Sequence, residues 1–193
     1  MTGYSAMGLS MSVERETPAT PVRSLVHTRK VVCQGYVRDD GLWDIEATLV
    51  DTKPFEIGLI ERRLIHPEEP IHGLMLRVAV DRTLLIHEAQ ASFTHSPYKI
   101  CSSITQAYQQ LVGMRIESGF IQAGRKLFRG VGGCTHVTEL LGPLSTVAYQ
   151  TLWNCLEGDG EGFDTLNTLP EFAVNGCHAL REDGPIVQTY LRR

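Results

Sequence analysis

The fold of this chain is decided by residues 31–50, VVCQGYVRDDGLWDIEATLV. In the second half of this stretch Trp43, Ile45, Ala47 and Leu49 fall on one face, and the residues between them are polar. A repeat of two is that of a β-strand, in which successive side chains point to opposite faces. The Asp-Gly pair in RDDG is favoured in hairpin turns. The stretch therefore predicts an antiparallel hairpin with one apolar face.

A second alternating pair follows, with LMLRVAV and LLIHEAQASF on either side of the short turn DRT. The first of these segments places Leu74, Leu76, Val78 and Val80 on one side. Together the two hairpins predict an antiparallel sheet of about four strands.

After Pro97 the apolar residues follow the period of a helix. The first helix is marked by the spacing i, i+3, i+4 and i+7 at Ile104, Ala107, Tyr108 and Leu111. Ser103 and Gln106 have the spacing of a capping box, which predicts that this helix begins there.

Two further helices are predicted. One contains Phe120 to Phe128 and ends at RGVGG. The other, the longest, runs from Val137 to Cys155, with a kink at Gly142 and Pro143. Strands first and helices later indicate an α+β fold, with the sheet packed against three helices.

The length of 193 residues suits one domain. Residues 1–24 mix small and polar residues with prolines, and such a composition predicts a flexible leader. We expect residues 25–193 to form a single α+β domain, with a C-terminal hairpin or arm from about residue 170.

Composition excludes several classes of protein. With 42% apolar residues, 21% charged residues and a net charge of -4, the chain is typical of globular proteins and not of proteins that bind nucleic acid or anionic membranes. No apolar run approaches the roughly 18 residues of a membrane span, and no secretory signal is evident. Five scattered cysteines without a CxxC pair favour free thiols or metal ligands in the reducing cytoplasm.

Thiol and imidazole groups recur where helices are predicted to begin. Cys134 and His136 open the long helix, and Cys101 comes shortly before the first helix. His72 opens the third strand beside Gly73, where a ligand can approach closely. Two sulfurs and two nitrogens suit tetrahedral zinc, so we expect a zinc site built from His72, Cys101, Cys134 and His136.

Two other interpretations stay open at this stage. In the first, Cys134 is a nucleophile with His136 or His72 as its base, in acyl or thiol chemistry, because a helix N-terminus favours the thiolate. In the second, the chain is an interaction subunit without metal, in which the cysteines only pack. Cys177 and His178 are interpreted as structural, because adjacent strand residues point apart.

The stretches HTRKVVCQGYVRDDGLWDIEATLVDTKPF, SPYKICSSITQAYQQLVGMRIESGF, GGCTHVTELL and CHALREDGPIV together resemble the bacterial family of domain of unknown function 2889. That resemblance implies no particular activity. A pair of strands is followed by a cysteine and later by a helix that begins at Gly-Cys. This order is similar to that in iron-sulfur scaffold proteins of the NifU type, and it implies a fold laid out like NifU and SufE. This second resemblance implies that His72, Cys101 and Cys134 take the places of three ligand cysteines.

The mixture of imidazole and thiol suits zinc better than an iron-sulfur cluster. The preferred hypothesis is a cytoplasmic metal-binding accessory or scaffold protein that serves a metabolic enzyme. Its partner is expected to be an enzyme subunit or a second copy of the chain.

Overall fold

The computed structural model describes residues 21–153 and 174–190. The predicted leader lies outside these ranges except for residues 21–24, which are exposed and have no regular secondary structure. Cys155 also lies outside them.

The main sheet has four antiparallel strands in the order β1-β2-β5-β6, and a small hairpin of β3 and β4 is inserted between β2 and β5. The strands are β1 (Thr28–Val37), β2 (Trp43–Thr52), β3 (Ile57–Leu59), β4 (Arg63–Ile65), β5 (His72–Val80) and β6 (Ile86–His95). Both predicted hairpins are confirmed, and with them the α+β class and the four-stranded antiparallel sheet.

Within residues 21–153 and 174–190, seven helical segments follow the sheet. Four are α-helices: α1 (Phe120–Leu127), α2 (Thr135–Glu139), α3 (Leu141–Trp153) and α4 (Pro185–Tyr190). Three are 3-10 segments: Lys99–Leu111, Gly130–Gly132 and His178–Leu180.

The first helical segment differs from its prediction. It is a 3-10 helix that begins at Lys99, and its capping residue Tyr98 makes no side-chain capping hydrogen bond. The predicted capping box at Ser103 is wrong, because the chain has already turned after Pro97 and Ser103 lies inside the segment. Its hydroxyl donates to the carbonyl of Ile100 instead.

The longest predicted helix is two helices, since α2 ends at Glu139 and α3 begins at Leu141. Pro143 explains the break: it lacks an N–H, and in a continuous helix its ring would clash with the carbonyl of Glu139. Near the C-terminus, residues 174–190 form a 3-10 turn and α4 rather than the strands of a hairpin.

The core lies between the helices and one face of the sheet, which we call the inner face. The alternating residues of β2 and β5 there are nearly or fully buried: Trp43, Ile45, Ala47, Leu49, Leu74, Leu76, Val78 and Val80. Helix α3 lies against β1 at Gly35, where a Cβ would come 1.9 Å from Thr151 Oγ1. A side chain at position 35 would therefore push the helix away from the sheet.

The outer face of the sheet is polar. Arg77 contacts Asp44 and Glu88 there at 2.6 and 2.8 Å, and Arg38 contacts both of these carboxylates as well. One end of the inner face departs from this division into an apolar and a charged face, because polar residues lie there among the core residues.

Candidate metal centre

A row of polar residues crosses three strands at one end of the inner face. Arg29 in β1 lies opposite Asp51 in β2, and Asp51 lies opposite His72 in β5. Asp51 continues the alternation of the buried Leu49, and His72 precedes Leu74 by two positions, so both side chains point toward the helices.

Asp51 is the centre of the row, with a side chain only 1% exposed. Arg29 donates Nε to Oδ1 at 2.7 Å and Nη2 to Oδ2 at 2.8 Å, and His27 Nε2 lies 3.3 Å from Oδ1. Burial by itself would raise the pKa of Asp51, but the hydrogen bonds and charge of Arg29 outweigh it and the pKa is lowered. Asp51 is therefore a buried carboxylate anion at neutral pH.

Two histidines face this anion. The rings of His72 and His136 stack with their centroids 3.8 Å apart. His72 Nδ1 lies 3.1 Å and His136 Nε2 lies 3.7 Å from Asp51 Oδ2. His72 Nδ1 is within hydrogen-bond distance of this oxygen but is misaligned with it, so the buried nitrogen lacks a well-formed hydrogen bond among the described residues.

Both imidazoles favour the neutral form. Burial lowers the pKa of His72, and the charge of His136 lowers it further despite the opposing effect of Asp51. Burial also lowers the pKa of His136, with a further contribution from the charge of Arg29. Neutral imidazole is the form that binds metals.

The three residues have the geometry of a metal site. Asp51, His72 and His136 each offer one ligand atom, and these atoms lie within 4.8 Å of one another. Ligand atoms at about 2.0–2.1 Å from a tetrahedral zinc are roughly 3.4 Å apart. The distances of 3.1 and 3.7 Å to Asp51 Oδ2 lie on either side of that value. The cluster could therefore hold a metal ion.

The start of α2 positions His136. Cys134 is the capping residue of this helix, and its N–H donates to the hydroxyl of Tyr108 at 2.9 Å. The same hydroxyl lies 2.9 Å from the Cys134 carbonyl and 2.9 Å from Thr138 Oγ1, either of which can accept its proton. Burial raises the pKa of Tyr108, so the hydroxyl stays protonated. One buried tyrosine thus fixes the turn that carries Cys134 and His136.

The structure brings together three of the four residues predicted as zinc ligands. His72 and His136 stack, and Cys134 Sγ lies 4.0 Å from Nδ1 of His136, the ring nitrogen that does not face Asp51. Cys101 lies near the start of the 3-10 helix Lys99–Leu111, and neither it nor Cys134 is in the group of possible ligands. The four-residue ligand set stays a prediction.

Asp51 was missed by the sequence interpretation. The available signal was that it occupies the next inward position after Trp43, Ile45, Ala47 and Leu49, where an acidic residue is unusual. The four described cysteines, Cys33, Cys101, Cys134 and Cys177, are free thiols. The structural role predicted for Cys177 and His178 stays a prediction.

The fold and this cluster define a class: an α+β protein with a buried Asp-His-His group at one end of an antiparallel sheet. The chain belongs to the family described as protein of unknown function DUF2889, whose match spans residues 27–150 and so includes the whole cluster. No curated protein and no solved structure matches it, and the NifU-like layout therefore stays a prediction. Within the described ranges, no helix has the length and apolar character to cross a membrane.

Proposed function

We propose that this chain binds a divalent transition-metal ion, zinc in the first instance, through Asp51, His72 and His136. The observation that carries the proposal is the approach of both histidines to one buried carboxylate oxygen, where His72 Nδ1 lies 3.1 Å from Asp51 Oδ2 without the alignment of a good hydrogen bond. An unsatisfied buried polar atom costs about 1–3 kcal/mol. A metal between the two atoms would remove that cost.

The ligand types restrict the choice of metal. Two imidazoles and one carboxylate are typical of zinc sites with an open position and of ferrous iron sites. Iron-sulfur clusters are held mainly by thiolates, and the described group of possible ligands contains no thiol. Three protein ligands leave at least one coordination position for water or another molecule.

Arg29 makes the proposed site one for reversible binding. Each carboxylate oxygen has two lone pairs, so Asp51 Oδ2 can accept Nη2 of Arg29 and also bind a metal. The neighbouring positive charge nevertheless weakens the binding of a cation. A site of this kind favours uptake and release over permanent structural binding, which supports the role of a cytoplasmic metal-binding accessory protein.

The test is zinc binding by the full chain. Protein stripped with a chelator is titrated with zinc, and separately with ferrous iron under anaerobic conditions, against a chromophoric chelator of known affinity. We expect one ion per chain. His72→Gln, His136→Gln and Asp51→Asn should each weaken binding by at least about tenfold, since each removes one of three ligands.

Two control variants keep this test specific. His87 pairs with Asp81 on the exposed surface, so His87→Gln should bind zinc like the wild type. Cys101→Ser distinguishes the two ligand sets. The four-residue set predicts that this variant binds zinc more weakly, whereas the Asp-His-His cluster predicts unchanged zinc affinity. Equal binding by wild type, His72→Gln and Asp51→Asn would reject the proposal.

A second candidate function is that of a cysteine-dependent enzyme. Cys134 Sγ, the His136 ring and Asp51 follow one another in the order of nucleophile, base and orienting carboxylate. The Sγ–Nδ1 distance of 4.0 Å is at the outer limit for a hydrogen bond to sulfur, and the Nε2–Oδ2 distance of 3.7 Å exceeds hydrogen-bond length, which is why the metal site ranks first. Alkylation of metal-free protein separates the two: selective modification of Cys134 that His136→Gln slows would favour the enzyme.

A further inference from the structure

The two edges of the main sheet differ in how the described residues cover them. At the β6 edge, Ile86 accepts a backbone hydrogen bond from Gly113 and donates one to the carbonyl of Met114, both in the loop after the 3-10 helix, and Gln109 Nε2 donates to the carbonyl of Ala89. At the other edge β1 pairs only with β2 among the described residues. An uncovered edge strand presents unpaired N–H and C=O groups to other chains.

Strand β1 combines this open edge with exposed apolar side chains. Val31 is 42% exposed, Val32 53%, Tyr36 43% and Val37 67%. The strand is ten residues long and contains no proline. Long apolar edge strands usually pair with a partner.

We propose that a second copy of this chain pairs with β1 through its own β1, in antiparallel orientation, with Gln34 on the twofold axis. In a twofold interface of this kind the same surface is used by both copies and must complement itself. Each residue then lies opposite the residue that is equally far on the other side of Gln34.

This register matches β1 with itself on both faces. Val31 on the inner side lies opposite Val37 of the second copy, and Val32 on the outer side lies opposite Tyr36. Arg29 lies opposite Asp39 of the second copy, which comes just after the end of its β1, and the two residues have opposite charges. Apolar and opposite-charge pairs across strands each contribute about 0.2–1 kcal/mol.

The neighbouring registers lack this match. With the axis at Cys33, Val31 would lie opposite Gly35, and Val37 would lie opposite Arg29. With the axis at Gly35, Val31 would lie opposite Asp39. In the proposed register the like charges of Lys30 and Arg38 do meet, but Arg38 already contacts three carboxylates: Asp40, Asp44 and Glu88.

The first experiment tests the register with the full chain. Gln34→Cys, in a Cys33→Ser background, places two thiols directly opposite each other at a Cα separation of about 4.5–5.5 Å, within disulfide range. Mild oxidation should give a covalent dimer on a non-reducing gel. The control Lys30→Cys in the same background should not, because its two copies would be eight residues apart, roughly 27 Å. Efficient crosslinking of wild-type protein through Cys33 would instead place the axis at Cys33 and overturn the register.

The second experiment tests the interface by sedimentation equilibrium. Wild-type chain should have twice the monomer mass at micromolar concentration. Val32→Lys should raise the dimer dissociation constant by about 2- to 30-fold, as the loss of two apolar pairs at about 0.2–1 kcal/mol each predicts. Val131→Lys changes a valine that is 101% exposed in the Gly130–Gly132 turn and should have no effect. A wild-type monomer, or a dimer that Val32→Lys leaves intact, would overturn the proposal, provided that circular dichroism shows both variants folded.

Discussion

Replacing Arg29 with methionine removes the guanidinium from Asp51 and keeps a long side chain at that position. We expect two effects of opposite sign. The metal-free protein should become less stable, because a carboxylate that is 1% exposed loses two charge-assisted hydrogen bonds. Zinc should bind more tightly, because the competing cation has gone.

The magnitude follows from the distances at Asp51. An ion about 2 Å from Oδ2 would lie about 5 Å from the guanidinium, and charges of two and one at that distance repel by roughly 7 kcal/mol at an effective dielectric constant of about 20. Arg29 is 38% exposed, so solvent screens much of this repulsion, and we take about 2 kcal/mol as the remainder. That corresponds to about 30-fold tighter zinc binding. The free energy of unfolding of the metal-free protein should fall by about 2–3 kcal/mol.

Zinc titration against a competing chelator measures the first effect, and urea unfolding with and without zinc measures the second. Arg77→Met is the matched control, since Arg77 also holds two carboxylates but on the outer face. It should lower stability and leave zinc affinity unchanged. Zinc affinity that is unchanged or weaker in Arg29→Met, while His72→Gln still weakens binding, would refute the reasoning about Arg29.

Three further predictions concern stability measured by urea unfolding. Tyr108→Phe removes the buried hydroxyl that bonds the start of α2 and should cost about 1–3 kcal/mol, with weaker zinc binding because that turn carries a ligand; unchanged values for both would contradict this role. Gly35→Ala places a methyl group against α3 and should cost about 1–3 kcal/mol; full stability would mean that α3 does not lie on β1 at this point. The pKa values of His72 and His136 are lowered from 6.5, so their contribution to the free energy of unfolding is fully present above pH 6.5 and is lost as the pH falls below it. The contribution of Asp51 to the free energy of unfolding is lost only below about pH 3.8. Replacing both histidines with glutamine should remove the loss of stability below pH 6.5 and keep the loss below about pH 3.8. An unchanged pH profile would refute this assignment.

The sheet could be predicted because its pattern is local. One face of β2 and one of β5 are apolar, and a repeat of two shows this within a few residues. The same rule, continued for one step past Leu49, gives the inward position of Asp51, although the sequence analysis did not extend it that far. The role of Asp51 could not be predicted from the sequence, because an acidic residue normally ends an apolar pattern. Its burial is stabilised by the contact with Arg29, which is visible only in the three-dimensional structure.

The ligand group was harder to predict because it depends on register and on the helix layer. Asp51 and His72 lie opposite each other only because β2 pairs with β5 across an inserted hairpin of unpredictable length. His136 reaches them because Tyr108, from a segment that is 3-10 rather than α-helical, fixes the start of α2. The sequence analysis identified both histidines as candidate metal ligands, but the distance between their side chains cannot be calculated from their spacing in the sequence.

Arg29 connects the proposed site with the proposed interface. Its Nε and Nη2 hold Asp51, while the residue itself lies on β1, which pairs only with β2 in the part of the chain that the structure describes. In the twofold pairing it gains Asp39 of the second copy as another carboxylate, which offsets part of the positive charge that opposes a metal at Asp51. Dimerisation would then strengthen metal binding, and by thermodynamic linkage metal binding would strengthen the dimer to the same extent. Because the two proposed sites would share one arginine, each would change the free energy of the other without any large conformational change.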